Sequence, residues 1–176
     1  MSVNRNPAVR APNEHPRYLA HLDTPPSTSL GWVKKWVTGE MPKAFNDSFS
    51  FIHVEDCAMQ HVLAMERPEI KGRFMSLYAQ AITKEECESE EGKALHLKVY
   101  ESGMVGRSLH WNEILGLAKK LYPAMPDFTP VTENLARPTH FDLTRENMII
   151  PIAEMKDFNQ IFTACIEDLQ RRKMIQ

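Results

Sequence analysis

The strongest constraint on the fold lies in the segment FIHVEDCAMQHVLAMERPEIKGRF, residues 51–74. The stretch from Ser48 to Val54 alternates in polarity and is rich in aromatic and β-branched side chains, which is typical of a strand. Apolar residues at helical spacing follow, and Pro68 ends the run. These apolar residues are Ala58, Val62 and Met65. The pattern therefore predicts a strand that passes into a helix near Val54.

Two acidic residues, Glu55 and Asp56, stand at this junction. In the first turn of a helix the free backbone N–H groups and the positive end of the dipole favour carboxylates by roughly 0.3–1 kcal/mol each. The pair is therefore interpreted first as a helix start rather than as a catalytic site.

A second helix is predicted within TPPSTSLGWVKKWVTG, from Leu30 to Val37. Ser27 or Ser29 serves as its N-cap, because a serine oxygen accepts a hydrogen bond from a free N–H of the first turn. Gly39 is its C-terminal stop. Residues that recur at helical spacing predict a buried face here and in the last segment of the chain. They are Trp32 and Trp36 in the first helix, and Phe158, Ile161, Phe162, Cys165, Ile166 and Leu169 in a long helix predicted over residues 152–175.

The remaining elements are shorter. Residues 72–77 are predicted to form a strand, and the five glutamates of residues 83–92 indicate a solvated loop. An amphipathic helix follows Ser108 as its N-cap and stops at Pro123, and residues 139–147 run from a short strand into a turn. Helices outnumber strands, so the fold class is mixed α/β.

Composition excludes several classes of partner. The 176 residues carry 21 Lys and Arg against 23 Asp and Glu, a net charge of −2, which gives no basis for binding nucleic acid or an anionic membrane. The odd set Cys57, Cys87 and Cys165 suits a reducing compartment. No apolar leader or membrane-length apolar run is visible, so a single cytoplasmic domain is expected.

Three arrangements resemble chemical sites but lack a defining part. Gly103 and Gly106 form a Gly-x-x-Gly turn before a helix, but Leu109 stands where a dinucleotide fingerprint needs its third glycine. His53, Asp56 and His61 are metal-ligand types, yet the strand-to-helix change leaves their relative directions unfixed, and no metal is predicted. Cys57 and Cys165 have no histidine placed as a base, and both are predicted to pack.

Read together, several ordered segments resemble the C-terminal half of extended short-chain dehydrogenases/reductases, in particular the dihydroflavonol 4-reductase and cinnamoyl-CoA reductase-like group. These are NPAVRAP (6–12), TPPSTSLGWVKKWVTG (24–39), FSFIHVEDCAMQHVLAMERPEIKGRF (49–74) and LARPTHFDLTRENMIIPI (135–152). Ala11 replaces a family glycine, and Ile149 and Ile150 replace Leu-Gly. The resemblance covers nearly the whole chain except residues 78–107, which are interpreted as an inserted loop.

The resemblance implies a fold class, and it implies that two functional parts of the family are missing from this sequence. The chain is expected to be the C-terminal substrate-binding portion of an NAD(P)-binding Rossmann-type extended reductase, without the Gly-rich βαβ half. It begins just after the point where the family's Tyr-x-x-x-Lys would end, and none of its four tyrosines is followed by lysine four residues later. No catalytic residue is therefore assigned, since hydride transfer needs both a held cofactor and a positioned acid.

The resemblance also implies which residues lie near the cofactor, NADP. Asn6 and Pro7 are expected on the nicotinamide side, and Pro25, Pro26 and Ser27 beside its phosphate or ribose. The resemblance gives Asp56 and His53 a role in anchoring the strand–helix unit. Sequence alone leaves another interpretation of the cofactor residues open, as a strand end and a capped helix start.

Three functional hypotheses follow. The first is the substrate-binding portion of an NADP-dependent reductase acting on a carbonyl or CH–OH group of a small molecule, inactive alone. The second is a non-catalytic pseudoenzyme or interaction module that docks on a separate Rossmann half or self-associates. The third is a standalone enzyme whose chemistry the sequence does not reveal.

Overall fold

The computed structural model describes residues 27–90, Lys93 and residues 105–176. Irregular and extended segments connect its helices, and the strands among these residues are only two or three residues long. The elements, in chain order, are α1 (Thr28–Val37), β1 (Ser48–Phe49), α2 (Val54–Glu66), β2 (Gln80–Ile82), α3 (Lys84–Glu88), β3 (Val105–Arg107), β4 (Leu109–His110), α4 (Trp111–Leu121), β5 (His140–Asp142), two 3₁₀ turns (Glu146–Met148 and Ile152–Glu154) and α5 (Phe158–Arg171).

Helices α1, α4 and α5 pack together around the larger hydrophobic core. The apolar stripes of the three helices face one another, as amphipathic helices require to remove those stripes from water. The buried members of this helical core are Val33, Trp36, Val37, Leu109, Trp111, Ile114, Leu115, Ala118, Met125, Phe158, Phe162, Ile166 and Leu169.

Two small antiparallel sheets complete the described fold. Strand β1 pairs with β4, with Ser48 opposite His110. The other sheet has the order β2-β3-β5, with Gly106 of β3 opposite Ala81 on one side and Phe141 on the other. A second hydrophobic core lies against this sheet. Its buried members are Ala79, Leu143, Ile149, Ile150, Ile152 and Met155. The mixed α/β class is confirmed, while the Rossmann-type origin of the fold stays a prediction.

The helix boundaries agree closely with the expected signals where a capping residue is present. The Ser27 side chain accepts from Leu30 N at 3.4 Å, which confirms Ser27 rather than Ser29 as the N-cap of α1. Gly39 has a φ of +78°, the left-handed conformation that a glycine adopts without strain after a helix. Helix α2 begins at Val54 as predicted and ends before Pro68.

The predicted strand over Ser48 to Val54 is mostly absent. Only Ser48 and Phe49 form β1, and Phe51 contributes a single bridge to Tyr78. The partner strand β4 is itself two residues long because the chain turns into α4 at Trp111. The ladder therefore has no further backbone with which to pair.

The strand predicted over residues 72–77 is wrong. Side chains hold this segment instead of a neighbouring strand, since Arg145 Nη2 donates to Lys71 O at 2.7 Å and Met75 N donates to Glu146 Oε1 at 2.9 Å. These bonds satisfy backbone groups that a sheet would otherwise have paired.

The acidic stretch predicted as a loop contains the short helix α3 instead. Thr83 accepts from Glu86 N at 3.1 Å, and the Glu86 carboxylate accepts from Thr83 N at 2.7 Å. This reciprocal capping box is enough to define a helix start. Strands β2 and β3 pair at the two ends of residues 78–107, and the interpretation of that region as an insertion stays a prediction.

Two other helix starts were misplaced. The N-cap of α4 is His110, not Ser108, because the Ser108 hydroxyl is engaged with Ser48 Oγ and Thr139 N, each at 2.8 Å. The long helix predicted from Ile152 begins only at Phe158, where Asp157 and Gln160 form a capping box. Its predicted inner face is confirmed except that Cys165 is only partly buried.

Candidate functional site

A cleft of about 450 Å³ opens between α1, the segment around β1 and α5. Its volume lies within the range of small-molecule sites in proteins. The residues that line it are Ser29, Trp32, Val33 and Trp36 of α1, Phe49, Ser50, Phe51 and Ile52, Ile114 of α4, and Phe158, Ile161, Phe162 and Cys165 of α5.

Aromatic rings form much of the wall, and they are held by one another. Trp111 is 2% exposed and lies at the centre of the group. Its ring centroid is 4.5 Å from that of Trp36 and 6.2 Å from that of Trp32. Phe45, Phe49 and Phe51 approach it at 5.7, 5.7 and 6.2 Å. Such tilted contacts are the geometry that aromatic pairs favour, so the rings stabilise one another's positions.

The cleft is electrically neutral. Every lining residue is apolar, aromatic, serine or cysteine. Burial raises the pKa of the Cys165 thiol, and the nearby Asp168 carboxylate raises that pKa further, so the thiol stays protonated at neutral pH. An ionic ligand group would lose its hydration here without gaining a counter-charge, and the cleft therefore suits a neutral ligand.

Two polar atoms of the cleft residues are buried without a hydrogen bond. They are Trp36 Nε1 and Ser50 Oγ, and neither has a partner among the residues that the structure describes. Buried polar groups are ordinarily paired, so these two atoms are exceptions; both are closed off from solvent and do not face the open space of the cleft.

The acidic pair at the start of α2 joins two parts of the chain. Asp56 is buried, and its Oδ2 accepts from Lys156 N at 2.8 Å. Lys156 Nζ donates to Glu55 Oε2 at 2.8 Å and lies 3.5 Å from Asp56 Oδ1. The hydrogen bond to Glu55 raises the pKa of Lys156, although burial partly opposes this. Asp56 therefore anchors α2 to the segment before α5.

Helix α2 has an inverted polarity. Its inward side carries Asp56 and Gln60, and Gln60 Oε1 accepts from Ser76 Oγ at 2.7 Å. Most of its apolar side chains face outward, with Val54 75% and Met65 86% exposed, whereas Leu63 packs against the second core. We call this outward surface the α2 apolar face; its residues are Val54, Ala58, Met59, Val62 and Met65. The helical spacing had suggested no more than an ordinary helix.

The other residues considered from the sequence do not assemble into a reactive group. His53 is the N-cap of α2 and its Nδ1 accepts from Glu55 N at 3.2 Å. His61 Nδ1 lies 2.7 Å from the Cys57 carbonyl oxygen, so that nitrogen carries the proton and is unable to act as base for Cys57 Sγ, 4.0 Å away. Within residues 27–90 and 105–176, no cluster of three metal-ligating side chains occurs.

The predicted cofactor residues lie mostly outside the described part of the chain. Asn6, Pro7, Pro25 and Pro26 are in this group. Ser27 is exposed and its hydroxyl caps α1. Gly106 is pressed into the sheet, where an added Cβ would lie 2.5 Å from Leu143 Cδ1. Gly106 therefore lies within strand β3 and does not form a phosphate-binding turn.

Comparison with known proteins bears on the origin of this arrangement. No protein-family profile matches the chain. It is 26% identical over 145 residues to tetraketide alpha-pyrone reductase 2 of Arabidopsis thaliana. This similarity supports the reductase superfamily. The aligned region covers 81% of the chain but 35% of the relative, so the chain spans about a third of that reductase's length. In the described part of the chain, no helix is long and apolar enough to cross a membrane.

The cleft and its two unpartnered atoms were missed by sequence reasoning. Trp36 was singled out only as a core residue, and Ser50 was not singled out at all. The predicted apolar faces of α1 and α5 were the available signal, because both faces contribute residues to the cleft. Their meeting with residues 49–52 is a tertiary contact that spacing along the chain does not encode.

Proposed function

We propose that this chain is the substrate-binding portion of an NADP-dependent reductase that acts on a carbonyl or CH–OH group of a neutral small molecule, similar to dihydroflavonol 4-reductases. The observation that carries the proposal is the neutral, aromatic-walled cleft between α1 and α5. Similarity to a reductase over most of the chain supports it independently.

The proposal assigns the cofactor to a surface completed by other residues. NADP would lie beside Asn6 and Pro7 and next to Pro25, Pro26 and Ser27, with the hydride donor facing the cleft. The sequence has no Tyr-x-x-x-Lys, and the positively charged partner that makes a tyrosine useful near neutral pH is missing with it. The chain alone is therefore proposed to bind substrate but not to reduce it.

Two titrations of the full chain test this division of roles. NADPH, followed by nicotinamide fluorescence, should show no saturable binding below the millimolar range. The neutral aromatic 2-acetylnaphthalene should bind saturably in the apolar cleft. Tryptophan fluorescence should report this binding because two tryptophans line the cleft. Tight NADPH binding would contradict the missing cofactor site, and failure of the aromatic to bind would contradict the substrate site.

Matched cysteine variants locate the binding. Cys165 lines the cleft, whereas Cys57 lies on α2 away from it, and both are partly buried. Cys165→Phe should fill the cleft and abolish most binding of 2-acetylnaphthalene. Cys57→Phe should leave that binding unchanged. Equal effects of the two substitutions would place the ligand elsewhere.

The α2 apolar face favours a second candidate function, a non-catalytic module that pairs with a second copy of the chain. A soluble domain rarely exposes such a row of large apolar side chains without a use for it. Light scattering after size-exclusion chromatography should then give a dimer for the wild-type chain and a monomer for Met65→Lys. Glu66→Gln, at the neighbouring exposed position, changes the net charge by the same +1 as Met65→Lys and is the charge-matched control. A wild-type monomer at high concentration would reject self-association. The version in which the face docks on a separate Rossmann half would be rejected if such a half also failed to bind.

A further inference from the structure

We propose that Trp32 and Phe49 are the specificity-determining residues of the cleft, and that they select a ligand with an aromatic ring system over one of the same size with saturated rings. The inference rests on the proposed substrate-binding role of the cleft. It adds which side chains contact the ligand and which chemical property of the ligand they recognise.

The first observation concerns the apolar surface of the cleft that water still covers. Among the described residues that line the cleft, only Ser29, Trp32 and Phe49 are exposed. The Trp32 residue is 36% exposed and Phe49 is 41% exposed. In an uncharged site a ligand is stabilised mainly by removing apolar surface from water. These two side chains are therefore the apolar residues of the cleft with the most surface left for a ligand to cover.

The second observation is that the two rings lie side by side. They come from different elements, α1 and β1, yet their centroids are 6.3 Å apart and their planes are inclined at 64°. A single exposed apolar side chain is ordinary on a protein surface. Two adjacent aromatic rings that border the same cavity are able to contact one ligand together, and the pair is therefore treated as one binding surface.

The third observation is that a buried ring supports both members of the pair. The centroid of Trp111 is 6.2 Å from that of Trp32 and 5.7 Å from that of Phe49. Side chains that are already held by neighbours lose less conformational freedom when a ligand binds, and this lowers the entropic cost of binding. The pair is thus arranged in advance of the ligand.

An aromatic ligand gains an attraction at this surface that a saturated one lacks. Aromatic rings have a negative face and a positive edge, so a tilted or offset contact between two rings is favourable beyond the burial of area. A saturated ring of the same size covers a similar area without this attraction. The two kinds of ligand also differ in their hydration, but that difference is the same for every variant of the protein. A change in the ratio of their affinities between variants therefore reports on the ring contact alone.

Isothermal titration calorimetry with a matched pair of ligands tests the inference and needs no tryptophan signal. The ligands are 2-acetylnaphthalene and its ring-saturated analogue 2-acetyldecalin, which are both neutral and carry the same acetyl group. Trp32→Leu and Phe49→Leu should each weaken the binding of 2-acetylnaphthalene roughly two- to tenfold more than the binding of 2-acetyldecalin, because each removes one aromatic contact.

Phe45→Leu is the matched control. Phe45 is 44% exposed, and its centroid is also 5.7 Å from that of Trp111, but Phe45 does not line the cleft. This substitution should leave the ratio of the two affinities unchanged. In the wild-type chain, nuclear Overhauser cross-peaks should join the ring protons of bound 2-acetylnaphthalene to those of Trp32 and Phe49, which is a measurement independent of any variant.

The outcomes separate the inference from the proposed function. The inference is wrong, and the substrate site stands, if 2-acetylnaphthalene binds while either Trp32→Leu or Phe49→Leu leaves the affinity ratio unchanged. Binding without the cross-peaks, or an equal change of the ratio in Phe45→Leu, would have the same meaning. If the wild-type chain does not bind 2-acetylnaphthalene, the inference and the proposed function are both wrong.

Discussion

At the scale of single residues, Gly106 shows how a sequence motif misleads. It belongs to a Gly-x-x-Gly pair that resembles part of a phosphate turn. In the structure it is the middle residue of β3, covered by the side chains of Ala79 and Leu143. Its glycine identity reflects the close approach of these side chains to the sheet rather than a ligand.

Gly106→Ala should therefore destabilise the fold. The new Cβ would lie 2.5 Å from Leu143 Cδ1 and 2.7 Å from Ala79 Cβ, so neighbouring groups must shift. We expect the free energy of unfolding, measured by urea denaturation, to fall by about 1–3 kcal/mol. Gly116→Ala is the control, because nothing lies within 4 Å of its Cβ and helical alanine is favoured by about 1 kcal/mol. A stable Gly106→Ala protein would show that β3 is not packed as described.

Asp56 and Glu55 are neighbours in sequence, but they are expected to contribute unequally to the free energy of unfolding. Asp56→Ala removes the acceptor of the Lys156 backbone N–H, and should lower the free energy of unfolding by about 1–3 kcal/mol. The Glu55 side chain is 64% exposed, so its ion pair with the Lys156 ammonium is largely solvated. Glu55→Ala should therefore cost less than about 0.5 kcal/mol. Equal losses in thermal or urea unfolding would contradict the anchoring role of Asp56.

At the scale of elements, capping chemistry explains which predictions from the sequence succeeded. Helix α1 was placed to within two residues because Ser27 and Gly39 are local signals. The same kind of signal was present and overlooked in Thr83–Glu86 and Asp157–Gln160, which define the starts of α3 and α5. Helix boundaries here are encoded within four residues of sequence.

Strands and the cleft depend on distant partners, and the sequence predicted them poorly. Residues 72–77 have strand-like composition, yet the backbone N–H of Met75 donates to Glu146, far along the chain, instead of to a neighbouring strand. Ser50 lines the cleft together with residues of α1 and α5, and its own sequence neighbours do not indicate that contact. Composition describes what a segment favours, whereas these outcomes were decided by which partner was available in space.

The β3–β5 pair predicts a pH dependence of stability. His140 lies opposite Arg107, whose guanidinium bonds both carboxylate oxygens of Glu113. Burial lowers the pKa of His140 below its usual 6.5, and the Arg107 charge lowers it further. Burial alone would raise the pKa of Glu113, but its hydrogen bonds to Arg107 and His110 N outweigh this and lower it. Glu113 therefore stays ionised while His140 titrates.

The folded state thus disfavours protonated His140. The stability associated with the neutral ring is fully present above pH 6.5 and is lost as the pH falls through the lower folded pKa. His140→Gln should flatten the wild-type decline of the unfolding free energy in that window, measured by urea denaturation at a series of pH values. If the variant and wild-type curves remain parallel, His140 is not the group responsible.

At the scale of the whole molecule, two hydrophobic cores share a narrow connection. Tyr78 packs against both cores, and its N–H donates to Phe51 O at 2.5 Å. All three tryptophans lie on α1 or α4, in or beside the helical core. Their fluorescence therefore reports on that core directly, and on the sheet core only through coupling.

Leu143→Ala measures this coupling. Leu143 is fully buried in the sheet core, so its truncation should cost about 2–5 kcal/mol. If the chain unfolds as one unit, tryptophan fluorescence and far-ultraviolet circular dichroism should shift to the same lower denaturant midpoint. Leu135→Ala, at an exposed position, should leave both midpoints in place. A shift seen by dichroism alone would mean that the two cores unfold separately.

The two sides of α2 distinguish residues that are kept for folding from residues that would be kept only for binding. Its inward Asp56 and Gln60 hold the helix in place, whereas the outward Val54, Val62 and Met65 are exposed and belong to neither hydrophobic core. Mutation would be free to turn those outward positions polar without harming folding. If related chains keep apolar side chains at these positions, an alignment would therefore indicate a binding surface before any partner had been isolated.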